Sequence, residues 1–487
     1  MTDRAFVPLE SVAEALGAGE IAGTLSASGT EVLRNGSRGL LWAEPLIEIE
    51  RDGRRMAYAN VRPDEVDRLE EHELGPVDDV LAGQTRVVFS TCGAHEPTDL
   101  DAYRALGGFA ASLPEPQAII DEVTTAGLRG YGGAGFPAGR KWQTAADTEA
   151  DQKYIVANAD EGDSGTFSDR LLMEGDPFLL IEGMQLTGRA IGASRGVIYL
   201  RSEYPVAAEV LTRAIDVARA VGVLGEAFDI ELFIGAGAYI CGEATSLLES
   251  LEGRRGEIRV KPPPMAVRGL YGKPTVVNNI VTLCAVPWII RNGGEAYAEM
   301  GVGRSTGTMP FQLAGNVKRG GLYELEFGVT LGELVNEWGG GTKSGRPVKA
   351  VQVGGPLGAY LTPEQFDVPM TYEHLRGIGA EIGHGGVVVF DDTVDMAQQA
   401  RYAFAFCAHE SCGKCTPCRI GAVRGVELMD QAIDEGSLDR RLPLLEDLCE
   451  VMEDSSMCAM GSMTPKPVRS ALEHFRDDFE KTGAEGR

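Results

Sequence analysis

Lys153-Tyr154-Ile155-Val156-Ala157-Asn158-Ala159-Asp160-Glu161-Gly162-Asp163-Ser164-Gly165-Thr166 is the stretch on which the fold turns. Its first half, Lys153 to Asn158, is a short apolar run that reads as a buried strand. Its second half sets an amide, three carboxylates and two hydroxyls at that strand's carboxyl end. Two similar runs, Gly196 to Leu200 and Ile230 to Ile234, follow, with helical patterns near Val206 to Val221 and Glu243 to Leu251. Strand and helix in alternation predict an α/β fold on a parallel sheet, with the ligand crevice beyond the carboxyl ends of the strands. A polar cluster there points into the crevice, although Asn, Asp and Ser also favour plain turns and helix caps.

Two more loops belong to the same edge. Upstream, a helical run through Ala118 to Val123 enters Gly127-Leu128-Arg129-Gly130-Tyr131-Gly132-Gly133-Ala134-Gly135-Phe136-Pro137-Ala138-Gly139-Arg140-Lys141-Trp142, with six glycines in thirteen residues. Repeated absence of Cβ lets backbone N–H groups close on a phosphate or a flat ring, and a purely structural glycine loop is the alternative. Downstream, Gly235-Ala236-Gly237-Ala238-Tyr239-Ile240-Cys241-Gly242-Glu243 joins strand to helix and places Glu243 at a helix N-terminus. A cap would account for Glu243 alone, but not for three converging loops. Arg254, Arg255, Lys261, Arg268 and Lys273 then cluster in an acidic chain, where they suit a pyrophosphate or form a solvated basic loop. Asn278-Asn279 open a predicted helix whose backbone donors could also take a phosphate.

Near the C-terminus, Glu410-Ser411-Cys412-Gly413-Lys414-Cys415-Thr416-Pro417-Cys418-Arg419 and the later Ser456-Met457-Cys458-Ala459-Met460 offer four thiolates. Two residues between successive cysteines bring three sulfurs to one corner of a [4Fe-4S] cubane, and a remote fourth closes it. Structural zinc, the rival, usually joins two separated ligand pairs. Leu445, Leu448, Cys449 and Met452 share one helical face, so Cys449 is expected in the core.

The chain has 487 residues, enough for about three domains. Its net charge of −27 disfavours electrostatic binding to nucleic acid or an anionic membrane. No apolar run of about 18 residues and no signal-like start in MTDRAFVPLE predict a cytoplasmic protein without membrane insertion. Nine cysteines, four in a metal-like constellation, suit a reducing compartment. Residues 1–100 combine an amphipathic helical start, an alternating stretch from Leu40 to Ile49 and the charged segment Asp64 to Glu73. Residues 301–392 hold strand-like runs, Phe311 to Ala314, Ala350 to Val353 and Gly386 to Phe390, with Val329 to Trp338 helical, as in a small α+β module. Residues 393–487 read as helical.

Together GLRGYGGAGFPAGRKW, NADEGDSGTFSDR, GAGAYICGEATSLLESLEG, KPPPMAVRGLYGKPTVVNN and ESCGKCTPCR with SMCAMG resemble the NADH-oxidising flavoprotein subunit of respiratory complex I and its relatives in NAD-linked hydrogenases and formate dehydrogenases. The resemblance covers about residues 100 to 470 and implies FMN, NAD(H) and a [4Fe-4S] cluster. It implies a Rossmann-like FMN and NAD(H) domain at 101–300, a ubiquitin-like (SLBB-type) domain at 301–392 and a helical cluster domain at 393–487. By this likeness Gly130, Gly132, Gly133, Lys141, Asn158, Asp160, Asn278 and Asn279 contact FMN. Glu161 and Glu243 line the catalytic flavin and nicotinamide pocket, Phe136 stacks with adenine and Lys261 meets the nucleotide's polar groups. Cys412, Cys415, Cys418 and Cys458 hold the cluster. The pattern usual in the family is broken at Tyr131, where Arg is common, at Asp163-Ser164 for Glu-Pro, at Ala244 for Glu and at Thr144 for Phe.

The stretch Val32 to Leu46 is similar to the extension in β subunits of NAD-dependent, molybdenum- or tungsten-containing formate dehydrogenases. That extension resembles a thioredoxin-like domain. With only Cys92 in residues 1–100, it reads as a docking module that lacks a cluster. This likeness implies a diaphorase subunit of a formate dehydrogenase, partnered by a metal–pterin α subunit with iron–sulfur clusters and a small thioredoxin-like [2Fe-2S] subunit. The NADH-input subunit of complex I or of a NAD-linked hydrogenase is the alternative, and a non-catalytic iron–sulfur scaffold is another.

Overall fold

The computed structural model describes residues 4–109, 113–435 and 438–481, so the first three residues of the quoted start lie outside the described residues. The chain opens with a strand, where the amphipathic pattern predicts a helix. Arg4–Pro8 (β1) carries the buried Ala5-Phe6-Val7 ahead of Ser11–Ala15 (α1) and Ala18–Ala27 (α2). Three consecutive apolar residues suit a strand buried on both faces, and periodicity alone cannot tell this from a helical turn. Glu31–Asn35 (β2) runs parallel to β1. Ile47–Arg51 (β3), Arg54–Tyr58 (β4) and Glu73–Pro76 (β5) complete the sheet antiparallel, in the order β2-β1-β3-β4-β5. Of the alternating stretch only Ile47 onward is strand, because Leu41–Ala43 form a 3₁₀ turn. The charged segment lies mostly on a 3₁₀ helix, Pro63–His72.

This sheet keeps a small core of its own, including Val7, Ile21, Leu25, Ile47 and Ile49, while Leu40, Leu46 and Ala57 join the main core. Buried Arg38 donates Nε to Glu48 at 2.6 Å and Nη1 to the Cys92 carbonyl at 3.2 Å. Both charges are paired, which avoids the cost of burying either alone. Val77–Val80 (α3) and Leu100–Ala105 (α4) lead onward.

Pro116–Thr125 (α5) and Ala138–Asp147 (α6) flank the glycine loop. The chain then alternates Tyr154–Ala159 (β6), Ser168–Gly175 (α7), Pro177–Ile191 (α8), Arg195–Leu200 (β7), Pro205–Ala220 (α9), Asp229–Ile234 (β8) and Ala244–Leu251 (α10). Thr275–Asn279 (β9), Ile280–Asn292 (α11) and Gly294–Ala298 (α12) follow. The sheet is parallel throughout, in the order β8-β7-β6-β9, as the alternation predicts. The fourth strand was not expected: Asn278-Asn279 end β9, and Asn279 then caps α11. Alternate residues face opposite layers. Ile155, Ala157, Ile198 and Val276 belong to the main core, whereas Val156, Tyr199 and Val277 pack with α10 and the C-terminal helices. Helix α8 is buried almost all round and packs on α11, where Gly183 lets the backbones meet.

A small hairpin, Gly301–Val302 (β10) and Ser305–Thr306 (β11), precedes Thr308–Gly315 (β12), Gly321–Glu326 (β13), Val348–Val353 (β14), Ala359–Leu361 (β15), Tyr372–Gly377 (α13) and Gly386–Asp391 (β16). The order β13-β12-β16-β14-β15, with β12 and β16 parallel at the centre, is that of a ubiquitin-like sheet. The three expected strands are β12, β14 and β16. β13 escaped notice because its buried Glu324 interrupts the apolar pattern, and that carboxylate accepts from Val88 N and Phe89 N at 2.9 Å each. Of the expected helix near Val329 to Trp338, Glu333–Trp338 is a π-helix. Met396–Glu410 (α14), Thr416–Glu435 (α15), Leu438–Ser455 (α16), Ala459–Met463 (α17), Pro465–His474 (α18) and Arg476–Lys481 (α19) form the helical end. Cys449 is buried in its core, as its helical face predicts. No helix among the described residues is long and apolar enough to cross a membrane.

Candidate functional site: a glycine-lined crevice joined to a four-cysteine centre

The strand order brings the loops after β6, β7, β8 and β9 to one edge of the sheet. Against this edge lies the glycine loop, closed by a hydrogen bond from Gly130 N to the Phe136 carbonyl at 2.9 Å. A Cβ built on Gly130, Gly132 or Gly133 would meet no atom nearer than 3.6 Å. These three glycines therefore leave open space that side chains would fill. Gly135 is different, at φ +58° with its missing Cβ taken up by the Tyr372 ring at 2.8 Å, so it serves packing. Tyr131 turns away from the crevice, and its hydroxyl contacts the Tyr297 hydroxyl at 2.6 Å and donates to the Thr308 carbonyl at 2.5 Å. Tyr131, where the resemblance leads one to expect Arg, is thus accommodated in the core. Phe136 stands 45% exposed at the loop's rim, and Thr144 bonds back to the Arg140 carbonyl at 2.9 Å.

Lys141 reaches from α6 to the end of β9, donating to the Val277 carbonyl at 2.9 Å and to Asn278 Oδ1 at 3.1 Å. Burial pushes its ammonium down to about 8. Asn278 Nδ2 is buried without a partner among the described residues, an orphan donor suited to a ligand oxygen or ring nitrogen. Asn279 Nδ2 donates to Asp169 at 2.7 Å, and Asn158 Nδ2 donates to the Gly242 carbonyl at 2.9 Å. The latter bond ties the β6 loop to the β8 loop. Asp160 is buried and its carboxyl is raised to about 8 by that burial, against the opposing charge of Arg201. It lines a cavity of about 150 Å³ with Arg201, Glu203, Tyr239, Phe406 and Glu410.

The two expected pocket glutamates are both engaged by protein. Glu161 accepts from Asp169 N and Arg170 N at 2.9 Å each and from the Tyr204 hydroxyl at 3.1 Å, which caps α7. Burial raises its carboxyl all the same. Glu243 caps α10 through Thr245 N at 2.8 Å and Ser246 N at 3.0 Å, and pairs with Lys261 Nζ at 2.9 Å. Burial pushes Glu243 up, but the Thr245 hydroxyl and Lys261 outweigh it and leave the carboxyl below its usual value. Beyond Lys261 lies a cleft of about 320 Å³, lined in part by Arg254, Arg259 and Arg268. Part of the charge expected to be free there is paired, Arg254 with Glu249 and Glu252 and Lys273 with Asp151, and Arg259, which was not expected, pairs with the same two glutamates.

Three residues that sequence reading did not assign meet at the crevice. Asp163 Oδ1 accepts from the Tyr239 hydroxyl at 2.8 Å, and Asp163 Oδ2 accepts from His384 Nδ1 at 2.6 Å. His384 comes from the turn before β16, and its carbonyl accepts from Gln312 Nε2 at 2.8 Å. The signal was Gly383-His384-Gly385-Gly386, a histidine set among glycines at a strand entrance.

Three of the four cysteines fall at helix starts, and the fourth follows the end of a helix. Cys412 lies between α14 and α15, Cys415 just before α15, Cys418 in its first turn, and Cys458 at the N-cap of α17. Helix N-termini favour thiolates. None of the four is in a disulfide, and Cys458 lies close enough to Cys412 and Cys418 to feel their charge. No three His, Cys, Asp or Glu side chains among the described residues converge as ligands of a single ion. A cubane spreads its four ligands around four irons, and four cysteine thiols from two stretches of chain fit that demand. Cys407 lies behind the triplet on α14, with its sulfur 3.6 Å from that of Cys418. The centre is stitched to the crevice, since Tyr239 N donates to Glu410 Oε2 at 3.1 Å and Arg255 Nη2 to the Cys412 carbonyl at 3.3 Å.

An open glycine cradle with an orphan amide at the edge of a parallel sheet, beside a cysteine centre among the C-terminal helices, fits a flavin and iron–sulfur oxidoreductase subunit. The chain belongs to the NADH-quinone oxidoreductase-F family, which includes hydrogenase relatives: residues 123–288 match the Nuo51 FMN-binding domain, and 398–482 match the NADH-ubiquinone oxidoreductase-F iron-sulfur binding region. It is 43% identical over 82% of its length to the NADP-reducing hydrogenase subunit HndC of Solidesulfovibrio fructosivorans, covering 83% of that protein. It is 41% identical over 79% of its length to the NADH-quinone oxidoreductase-F protein of Escherichia coli, covering 90% of it. A chain of the NAD+-reducing [NiFe]-hydrogenase in the H2-reduced state superposes with a TM-score of 0.74 at 32% identity, over 99% of this chain and 84% of that one. FMN, NAD(H) and a [4Fe-4S] cluster are the cofactors of this family's two matched regions.

Proposed function

We propose that this chain is the diaphorase subunit of a NAD-dependent formate dehydrogenase, in the cytoplasm. Electrons from formate oxidation on a metal–pterin partner enter at Cys412, Cys415, Cys418 and Cys458, and leave as hydride on NAD+; the reverse direction uses the same parts. FMN, when bound, supplies the conversion between single electrons and hydride. Gly130, Gly132 and Gly133 give it room, and Lys141, Asn158, Asp160, Asn278 and Asn279 meet its polar edges. Glu161 and Glu243 shape the pocket and hold its walls through the caps of α7 and α10. Phe136 takes the adenine, and Lys261 the nucleotide's polar groups. The observation that carries this reading is the pair of bonds joining the β8 loop and Arg255 to Glu410 and Cys412, because they set the one-electron port against the crevice.

The formate assignment rests on Val32 to Leu46 within an N-terminal module that holds a single cysteine, Cys92. The extent of the superposition on the hydrogenase chain, which takes in this module, favours a second reading as a hydrogenase diaphorase. Affinity purification of the chain from its native cells decides between them. A large subunit with molybdenum or tungsten and formate-dependent NAD+ reduction is expected; nickel–iron or membrane subunits would overturn the formate assignment. A purified chain with neither FMN nor NADH-dependent dye reduction would overturn the diaphorase reading itself.

A further inference from the structure

His384 belongs to the ubiquitin-like sheet, yet its ring is set in the crevice wall of the parallel sheet. Its Nδ1 lies 2.6 Å from Asp163 Oδ2. Its Nε2 lies 3.9 Å from the point where Gly132 would carry a Cβ, on the same side as the Asn279 side chain at 3.6 Å. That second nitrogen has no protein partner among the described residues, and the side chain remains 24% exposed. Asp163 is held in place from a third direction by the Tyr239 hydroxyl. Gln312 anchors the His384 carbonyl, and Gly383 and Gly385 adopt φ of +57° and +80°, conformations that other residues rarely take.

We propose that His384, held as an imidazolium by Asp163, presents a cationic N–H donor to the flavin crevice and favours the reduced form of the bound flavin. This rests on the FMN site of the family to which the chain belongs. Hydride transfer from NADH, which becomes NAD+, would bring a bound flavin two electrons and one proton, so its ring system would gain one negative charge. A fixed cation at the crevice wall stabilises that charge, and a low-dielectric setting strengthens the effect. The surroundings support the charged state. Burial alone would lower the imidazole, but Asp163 foremost, then Asp169 and Glu161, raise it to about 9. Glu161 and Asp163 come from the β6 loop and Asp169 from α7, while Gly132 of the glycine loop and the neutral Asn279 lie near its Nε2.

The test is the two-electron midpoint potential of FMN in the whole chain, measured by reductive titration with reference dyes, for wild type, H384Q, H384K and D163N. H384Q and D163N should shift the potential downward, H384Q by the larger amount, and H384K should return it towards wild type. A purely packing role would change flavin affinity in all three without this order, so flavin content is followed by fluorescence. Equal potentials in wild type and H384Q, or an H384K that tracks H384Q, would overturn the inference while leaving the diaphorase reading intact. Wild-type protein that takes up no FMN would overturn both.

Discussion

At the residue scale, chemistry and structure can be separated by single substitutions. Cys458 caps α17 beside the triplet, whereas Cys449 lies in the α16 core with its thiol pushed up to about 12 by burial. Cys458→Ser should remove most of the iron and acid-labile sulfide per chain, and Cys449→Ser should leave both near wild type. Equal loss from the two would show the ligand set to be wrong. The Asp163–His384 pair also makes a pH prediction. His384 ordinarily titrates near 6.5 and is raised to about 9 in the folded chain, so its contribution is complete below 6.5 and is lost as pH rises towards 9. That shift corresponds to about 3 kcal/mol. The unfolding midpoint in denaturant should therefore fall more steeply between pH 6.5 and 9 in wild type than in H384Q. The spacing of the cysteines and the meeting of three loops at one sheet edge were legible from residues alone. His384 was not, because its role depends on a turn more than two hundred residues from Asp163 arriving at the same wall.

At the element scale, glycine has opposite meanings in two helices. A Cβ on Gly183 of α8 would stand 2.1 Å from the Leu283 carbonyl of α11, while one on Gly23 of α2 would touch nothing within 4 Å. Gly183→Ala should destabilise the chain by about 1–3 kcal/mol through overpacking. Gly23→Ala should stabilise it by about 0.5–1 kcal/mol, since alanine loses less entropy in a helix. Thermal unfolding of the two variants checks both signs. The elements that were legible are those with a clean period: α5, α9, α10 and the strands β6, β7 and β8. Those that were missed break the period for a physical reason. β13 buries Glu324 because Thr308 and two backbone N–H groups satisfy it, and β1 is apolar on successive residues because both its faces are covered.

At the scale of the whole molecule, the crevice and the cysteine centre are adjoining but distinct stations. Cys458→Ser protein should keep NADH-dependent reduction of a hydride-accepting or two-electron dye at a rate within a few-fold of wild type. Electron exchange with its partner complex should fall by at least a hundredfold. Loss of both activities together would mean that the cluster region also builds the flavin site. The sequence by itself determined the sheet's parallel alternation, the spacing of the four cysteines in the iron–sulfur region and the cysteine-poor N-terminal module, since each is a local matter of period, spacing or residue count. The tertiary structure alone decided which polar groups stay free: Arg254 and Lys273 are neutralised by neighbours, Glu161 and Glu243 are bound as helix caps, Asn278 keeps a buried amide without a partner among the described residues, and His384 keeps a second ring nitrogen without one. Whether a charged or polar side chain can meet a ligand depends on what else reaches it through space, and that is set by packing between segments far apart in the chain.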